Sequence, residues 1–306
     1  MFAPKFDGTR TYSFRPIQYC DMCRSTRFKM LGMRLNQSQG YRPKSVSGIA
    51  VSVKQCLDCR LIFADPQPIP ERLSDHYGVD PEEYWNPGQV TDTEVAGYFA
   101  DEIATAKQLL GFRPGMTALD VGVGLGRSMK ALTDAGFEVH GIEPSETFHR
   151  RLADPRVTLA SVEDAEFAGD SFDFITFGAV LEHLYSPGQA IGRALKWLKP
   201  GGVIQAEVPS SNHLITRMIS SYFKLRGTNY VSHISPMHNP FHLFEFGLDS
   251  FRKHGALNGY DVAEHRYSVC EIAHVPAPLK PMFRWWMQKR DSGMQLTVYL
   301  RKRFTR

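Results

Sequence analysis

Residues 117–128 read T117-A-L-D-V-G-V-G-L-G-R-S128, and this stretch decides the fold. A short apolar run ends in Asp120. Gly122, Gly124 and Gly126 follow at every second position, and a helix-like sequence comes next. A glycine turn between strand and helix lets backbone approach a bound nucleoside, because no Cβ stands in the way. A glycine string alone is a weak signal. Here a second strand-like stretch, F137-E-V-H-G-I-E-P144, ends in Glu143, 23 residues after Asp120. A carboxylate at that place can accept both ribose hydroxyls. The spacing is G-x-G-x-G, not the phosphate-binding G-x-G-x-x-G, and no G-x-x-x-x-G-K-[ST] occurs. A nucleoside without phosphate is the expected ligand.

Outward from this stretch, strand patterns at 117–121, 137–142, 157–160, 172–177 and 202–208 alternate with helical ones. Such alternation predicts a parallel, doubly wound α/β sheet. Residues 259–268 and 294–301 add a sixth and a seventh strand. Val95, Phe99, Ile103, Ala106 and Leu110 recur at helical spacing and predict a helix within 91–111. The proline run P66-Q-P-I-P70 reads as a stiff linker. The 306 residues, 42% hydrophobic, suffice for one such core plus an appended module. A net charge of +4 implies neither a nucleic-acid-binding tail nor an acidic tract. No apolar run is long enough for a transmembrane helix. Residues 1–10 lack the layout of a secretory signal, so a cytoplasmic chain is expected.

Four of the five cysteines form two pairs, C20-D-M-C23 and C56-L-D-C59. In a reducing compartment, Cys20, Cys23, Cys56 and Cys59 predict a tetrahedral Zn²⁺ site rather than disulfides. Unligated thiols or a redox pair are the alternative. Four thiolates leave no open coordination position, so the expected role of zinc is in folding. Residues 51–55 are the expected strand into the second pair. Cys270 stands alone and reads as a buried, inert thiol.

Residues 117–208 resemble a class I S-adenosylmethionine-dependent methyltransferase. The glycine loop D120-V-G-V-G-L-G126, the tripeptide Ile142-Glu143-Pro144, S171-F-D-F-I-T-F-G-A-V-L-E-H-L184 and W197-L-K-P-G-G202 match the family's motifs in order. The resemblance implies a seven-stranded Rossmann-like sheet, the last strand antiparallel, with S-adenosylmethionine held by Asp120, Gly122, Gly124, Gly126 and Glu143. Asp120 would face the methionyl ammonium. Asp164, or Glu163 beside it, would lie near the adenine amino group. The cysteine pairs and the stretch after them are similar to methyltransferases with an N-terminal zinc ribbon, often found with sugar, surface-polysaccharide or natural-product pathways. There Tyr77, Tyr84 and Trp85 would lie beside the cofactor. The expected organisation is a zinc-ribbon module over 16–66, a linker with helices over 67–110, and the methyltransferase domain over 111–306 with an acceptor-side insertion at 209–247.

Ligands of open α/β sheets bind outside the carboxyl ends of the strands. His183 follows the fourth strand there and is a candidate base for an acceptor hydroxyl. The resemblance makes His242, in F241-H-L-F-E-F246, a second candidate, with His238 a third. The alternative for each is a packed or loop histidine. A quinone-type catalytic metal is not expected, since Ala179 or a neighbour replaces one of its ligands. The polar and aromatic insertion suits a small-molecule acceptor, a sugar or other polyhydroxylated compound, methylated at oxygen. Sugar C-methylation, RNA methylation and an inactive cofactor-binding scaffold are the alternatives. C-methylating relatives usually carry a further C-terminal domain, and residues 16–66 lack a dense basic stripe interleaved with aromatics. The basic, aromatic stretches R284-W-W-M-Q-K-R290 and R301-K-R-F-T-R306 raise a peripheral membrane or RNA contact.

Overall fold

The computed structural model describes residues 12–35, 50–71, 97–237, 241–270, 272 and 274–304. In chain order it places β1 (Tyr12–Arg15), β2 (Phe28–Leu35), β3 (Ala50–Cys56), β4 (Ile62–Asp65), β5 (Gln67–Pro70), α1 (Ala100–Leu110), β6 (Thr117–Val121), α2 (Arg127–Asp134), β7 (Glu138–Glu143), α3 (Glu146–Leu152) and β8 (Val157–Leu159). There follow β9 (Phe172–Gly178), α4 (Pro187–Trp197), β10 (Leu198–Pro209), α5 (Leu214–Leu225), β11 (Phe244–Glu245), α6 (Leu248–Asn258), β12 (Tyr260–Ser268), α7 (Lys280–Lys289) and β13 (Gln295–Lys302). The chain divides into two units. One comprises residues 77–208, 251–265 and 297–306, the other residues 1–76, 209–250 and 266–296.

The first unit is built on a seven-stranded sheet of order β12-β13-β10-β9-β6-β7-β8. β6 pairs in parallel with β7 and β9, β7 with β8, and β10 with β9. All seven strands fall where the sequence pattern puts them. The chain runs outward from β6 to β8 and returns beside β6 as β9. The strand order therefore reverses between β6 and β9, which is where ligands of such sheets bind. Ala118, Phe174 and Val203 are fully buried, and Leu132 and Met129 of α2 pack on the same core. The predicted helix is present as α1, closed by Gly111 at φ 59°. Residues 91–96 lie outside the described residues. At the amino ends of the strands Asp173 accepts from the Thr117 N–H (2.8 Å) and the Lys199 ammonium (2.8 Å). Burial works against this carboxylate, but those donors hold its pKa below the usual range. The buried Thr176 hydroxyl donates to Gln205 at 2.5 Å across β9 and β10, at the same register position.

The basic stretch at 301–304 is absorbed by this unit. Arg301 donates to the Leu109 carbonyl, Lys302 pairs with Asp170 (2.9 Å) and Arg303 with Asp261 (2.6 Å). Those cations already have partners.

The second unit contains the cysteine pairs. Its four-stranded sheet has the order β11-β4-β3-β2. β3 is the strand expected to lead into the second pair. The edge strand β11 comes from the insertion, with Phe244 opposite Phe63 and Glu245 opposite Ile62. Val51, Val53, Ile62 and Ala64 share one core with Val231, Ile234 and Met237. The ribbon expected over 16–66 thus shares its unit with 209–250 and 266–296.

One expectation is corrected. Residues 67–70 are not a linker but β5, antiparallel to β1. Pro68 and Pro70 fall on one parity of the strand, opposite Phe14 and Tyr12. Gln67 and Ile69 supply the other parity, so the ladder needs no proline N–H. Arg15 reinforces the pair with a 2.6 Å bond to the Gln67 side chain.

Candidate functional site

The loop from β6 to α2 sits at the strand-order reversal. Gly122, Gly124 and Gly126 all have positive φ, at 75°, 55° and 77°. A Cβ on Gly122 would lie 2.7 Å from the Val180 side chain, so the turns after β6 and β9 can meet only with glycine there. A Cβ on Gly126 would strike Leu152 at 2.8 Å. Beyond β9 the chain opens, since a Cβ on Gly178 would meet nothing within 4 Å. Ala179, with φ 54°, is held in that strained conformation by its N–H bond to the Glu207 carbonyl (3.1 Å).

Two carboxylates face this loop. Glu143, at the end of β7, accepts from the Gly124 N–H at 2.8 Å and the Ser145 N–H at 2.9 Å, one on each oxygen. The second lone pair of each oxygen remains for other donors. Burial raises the pKa of Glu143, and those two N–H groups oppose the rise. Asp120 is buried and accepts from the Met129 N–H, while its Oδ2 has no partner among the described residues. Burial first, and then the charge of Glu143, push Asp120 up to about 7. A buried carboxylate with an unmet oxygen, at the strand-order reversal, calls for a cationic or hydrogen-bond-donating ligand. The ammonium of S-adenosylmethionine fits that demand, and the free lone pairs of Glu143 fit ribose hydroxyls.

Tyr98 joins the site without having been singled out in the sequence. Its ring is 42% exposed, but its hydroxyl reaches Ser128 at the start of α2. Burial of that end, together with the charges of Asp120 and Glu207, raises its pKa. Its one sequence signal is a tyrosine just off the apolar stripe of α1. Asp164 is exposed and bonds to the Ser161 hydroxyl (2.7 Å) in a local turn, and Glu163 is also exposed. Glu182, buried after β9, is pushed up to about 8 by burial and then by Glu207. His183 beside it is half-buried, with its N–H bonded to the Val180 carbonyl (3.0 Å). Tyr77, Tyr84, Trp85 and His238 lie outside the described residues.

In the second unit the four sulfurs of Cys20, Cys23, Cys56 and Cys59 lie within 4.8 Å of one another. Cys20 and Cys59 are 3.4 Å apart, Cys23 and Cys56 3.6 Å, and none forms a disulfide. A Zn–S bond of ~2.3 Å implies a tetrahedral edge of ~3.8 Å, close to these separations. Each pair closes in a knuckle: the Arg24 N–H bonds to the Cys20 carbonyl (2.8 Å) and the Arg60 N–H to that of Cys56 (3.1 Å). Arg24 and Arg60 both take left-handed conformations, φ 62° and 67°. The Cys20 thiol bond and the Leu61 N–H lower the pKa of Cys59, against the effect of burial. The residues present fit a structural zinc ion. Cys270 is half-buried, and its thiol donates to Gln295 at 3.1 Å.

The insertion also belongs to this unit. Buried His233 meets Glu245 at 2.5 Å, and Glu245 accepts from the Ile234 N–H at 2.9 Å. His213 bonds to the Thr216 hydroxyl at 2.7 Å, and burial lowers its pKa. These two histidines are therefore held by local bonds. His242 is half-buried, and its N–H donates to the Ser235 hydroxyl at 3.3 Å. Tyr230 and His233 line a cavity of about 230 Å³ together with Arg217, Ser220, Ser221 and Lys224.

The profile of the family described as "Methyltransferase domain" matches residues 93–265, more than half of the chain. Phosphoethanolamine N-methyltransferase 2 of Caenorhabditis elegans is 32% identical over 120 residues, 35% of this chain and only 27% of that protein's length. Demethylmenaquinone methyltransferase of Clavibacter sepedonicus is 27% identical over 186 residues, 56% of this chain and 76% of its own. A solved SAM-dependent methyltransferase from Archaeoglobus fulgidus aligns with a TM-score of 0.48 at 13% identity, covering 72% of this chain and 97% of its own.

Proposed function

The chain belongs to the methyltransferase domain family, and from that membership we propose that it transfers the methyl group of S-adenosylmethionine to a hydroxylated small molecule. The carrying observation is the pair of buried carboxylates around the glycine loop, Asp120 with an unmet oxygen and Glu143 with free lone pairs. When bound, S-adenosylmethionine supplies a methyl group already activated as a sulfonium, so the protein has mainly to position two reactants. Asp120 pairs with the ammonium, Glu143 with the ribose, and the glycines admit the nucleoside against the backbone. Asp164 or Glu163 takes the adenine amino group. A four-cysteine zinc site supports the fold of the second unit.

The pKa of Asp120 gives the first expected result. At pH 6 this carboxyl is mostly protonated and offers no charge to an ammonium; above pH 7 it does. Affinity for S-adenosylhomocysteine should therefore rise roughly tenfold from pH 6 to pH 8. Calorimetry at the two pH values checks this, and Asp120→Asn should flatten the rise. The stability effect has the opposite sign. The folded-state value lies above the ordinary 3.8, so stability falls as pH rises from there toward 7.

We assign the acceptor an oxygen nucleophile, on a sugar or another polyhydroxylated metabolite. The mix of polar and aromatic residues in the insertion, among them Asn212, Tyr222 and Tyr230, supports that reading. A quinone-type phenol is the second reading, supported by the likeness to a ubiquinone biosynthesis O-methyltransferase of Hydrogenovibrio crunogenus, 32% identical over 148 residues. His183, on the carboxyl side of β9, is the proposed base for the acceptor proton, with His242 the alternative and His238 behind it. His183→Ala should lower kcat roughly a hundredfold with S-adenosylhomocysteine affinity unchanged. An unchanged kcat would remove His183 from the role and leave His242→Ala as the next variant. The acceptor class is tested with methyl-labelled cofactor and cell extract. Label in the polar low-mass fraction supports the sugar reading, label in the lipid fraction the quinone reading, and label in RNA contradicts both.

A further inference from the structure

We propose that α5 and α7 form a docking surface for an anionic lipid bilayer. Both helices pack on one core, in which Leu214, Ile215 and Ile219 of α5 meet Phe283 and Met287 of α7. Each helix also carries a second apolar stripe turned to solvent. On α5 it is Met218, Tyr222 and Leu225, spaced four and three residues apart; on α7 and the turn before it, Leu279, Met282, Trp285 and Trp286. Leu225 is 89% exposed, Trp285 59% and Trp286 50%, far beyond what a folded surface needs from side chains of this size.

Within the two segments that carry these stripes the charged residues have one sign. No Asp or Glu occurs between residues 209 and 232 or between 272 and 290, while Lys224, Arg226, Arg284, Lys289 and Arg290 are exposed there. The cations of 301–303, by contrast, are committed to partners within the other unit. An amphipathic helix with Trp, Leu and Met on one face and Lys and Arg beside it lies in the headgroup region, its apolar side chains among the acyl chains and its cations on lipid phosphates. Trp is suited to that depth because its ring is apolar and its N–H is polar. RNA would use the cations and the aromatic rings, but it offers nothing to exposed Leu225, Met218, Leu279 and Met282. The aliphatic residues therefore favour the bilayer. The inference does not rest on the methyl-transfer reading, because binding to vesicles needs neither cofactor nor acceptor.

The test is co-sedimentation of the full chain with vesicles of phosphatidylcholine, with and without roughly a third phosphatidylglycerol, at low and high salt. The wild type should sediment with the anionic vesicles at low salt and be released by high salt. Its tryptophan emission should shift to the blue on binding. Trp285→Ala/Trp286→Ala leaves Phe283 and Met287 in the core, so its urea midpoint should match the wild type while its partition falls roughly tenfold. Lys289→Glu/Arg290→Glu should weaken binding to the anionic vesicles alone. Three results would overturn the proposal: no sedimentation of wild type at low salt, wild-type binding by the double Trp variant, or a wild-type dimer that this variant dissociates. The last would give the face to a second copy of the chain. Retention of RNA without vesicle binding would overturn it equally.

Discussion

Gly124→Arg should abolish the binding of S-adenosylhomocysteine, with affinity down by at least roughly a thousandfold, equivalent to about 4 kcal/mol. The loss of affinity is steric and electrostatic. The half-buried loop between β6 and α2 lies at the strand-order reversal, where the nucleoside is proposed to bind, and a guanidinium there would occupy the ligand's space. It would also lie near Glu143 and compete for the carboxylate that accepts the Gly124 N–H. Calorimetry on both proteins measures the loss. Binding unchanged by the substitution would remove the cofactor from this loop.

Removal of the metal should have the largest effect on stability. Cys20, Cys56 and Cys59 are essentially inaccessible, and the sulfurs already sit at tetrahedral separations. Structural zinc in such a site contributes roughly 10–16 kcal/mol, as much as the net stability of a whole domain. The wild type should purify with stoichiometric zinc. Cys20→Ser/Cys59→Ser should carry none, and residues 12–35 and 50–71 should become open to protease, because the second knuckle joins the end of β3 to β4 and the first precedes β2. Metal analysis and limited proteolysis check both points. A metal-free wild type as resistant as the holo-protein would contradict the assignment.

The sequence made the sheet legible because its information is local. Each strand from β6 to β10 is an apolar run closed by a motif that belongs to its own loop. Asp120 with the glycines, Glu143 with Pro144, and the cysteine pairs each announce themselves within a few residues. The features not read depend on distant partners. β11 is two residues long and becomes a strand only by pairing with β4, some 180 residues earlier. β5 looks like a linker because proline is normally excluded from strands; it pairs because both prolines fall on one parity. α5 escaped notice in an insertion read for its histidines, although its stripes are regular. Tyr98 gained its place from Ser128 and Asp120, which a one-dimensional pattern does not bring near it. The histidines divide in the same way. His213 and His233 are engaged by Thr216 and Glu245, contacts that fixed spacing does not reveal.

On the proposed reading, S-adenosylmethionine held at the loop between Asp120 and Glu143 is the methyl donor. The most direct measurement is the formation of S-adenosylhomocysteine from it, by mass spectrometry, as low-mass fractions of cell extract are added to wild type and to Gly124→Arg. Formation should depend on the added fraction in the wild type and be absent in the variant. Equal formation by both proteins, or none by the wild type with any fraction, would contradict that reading.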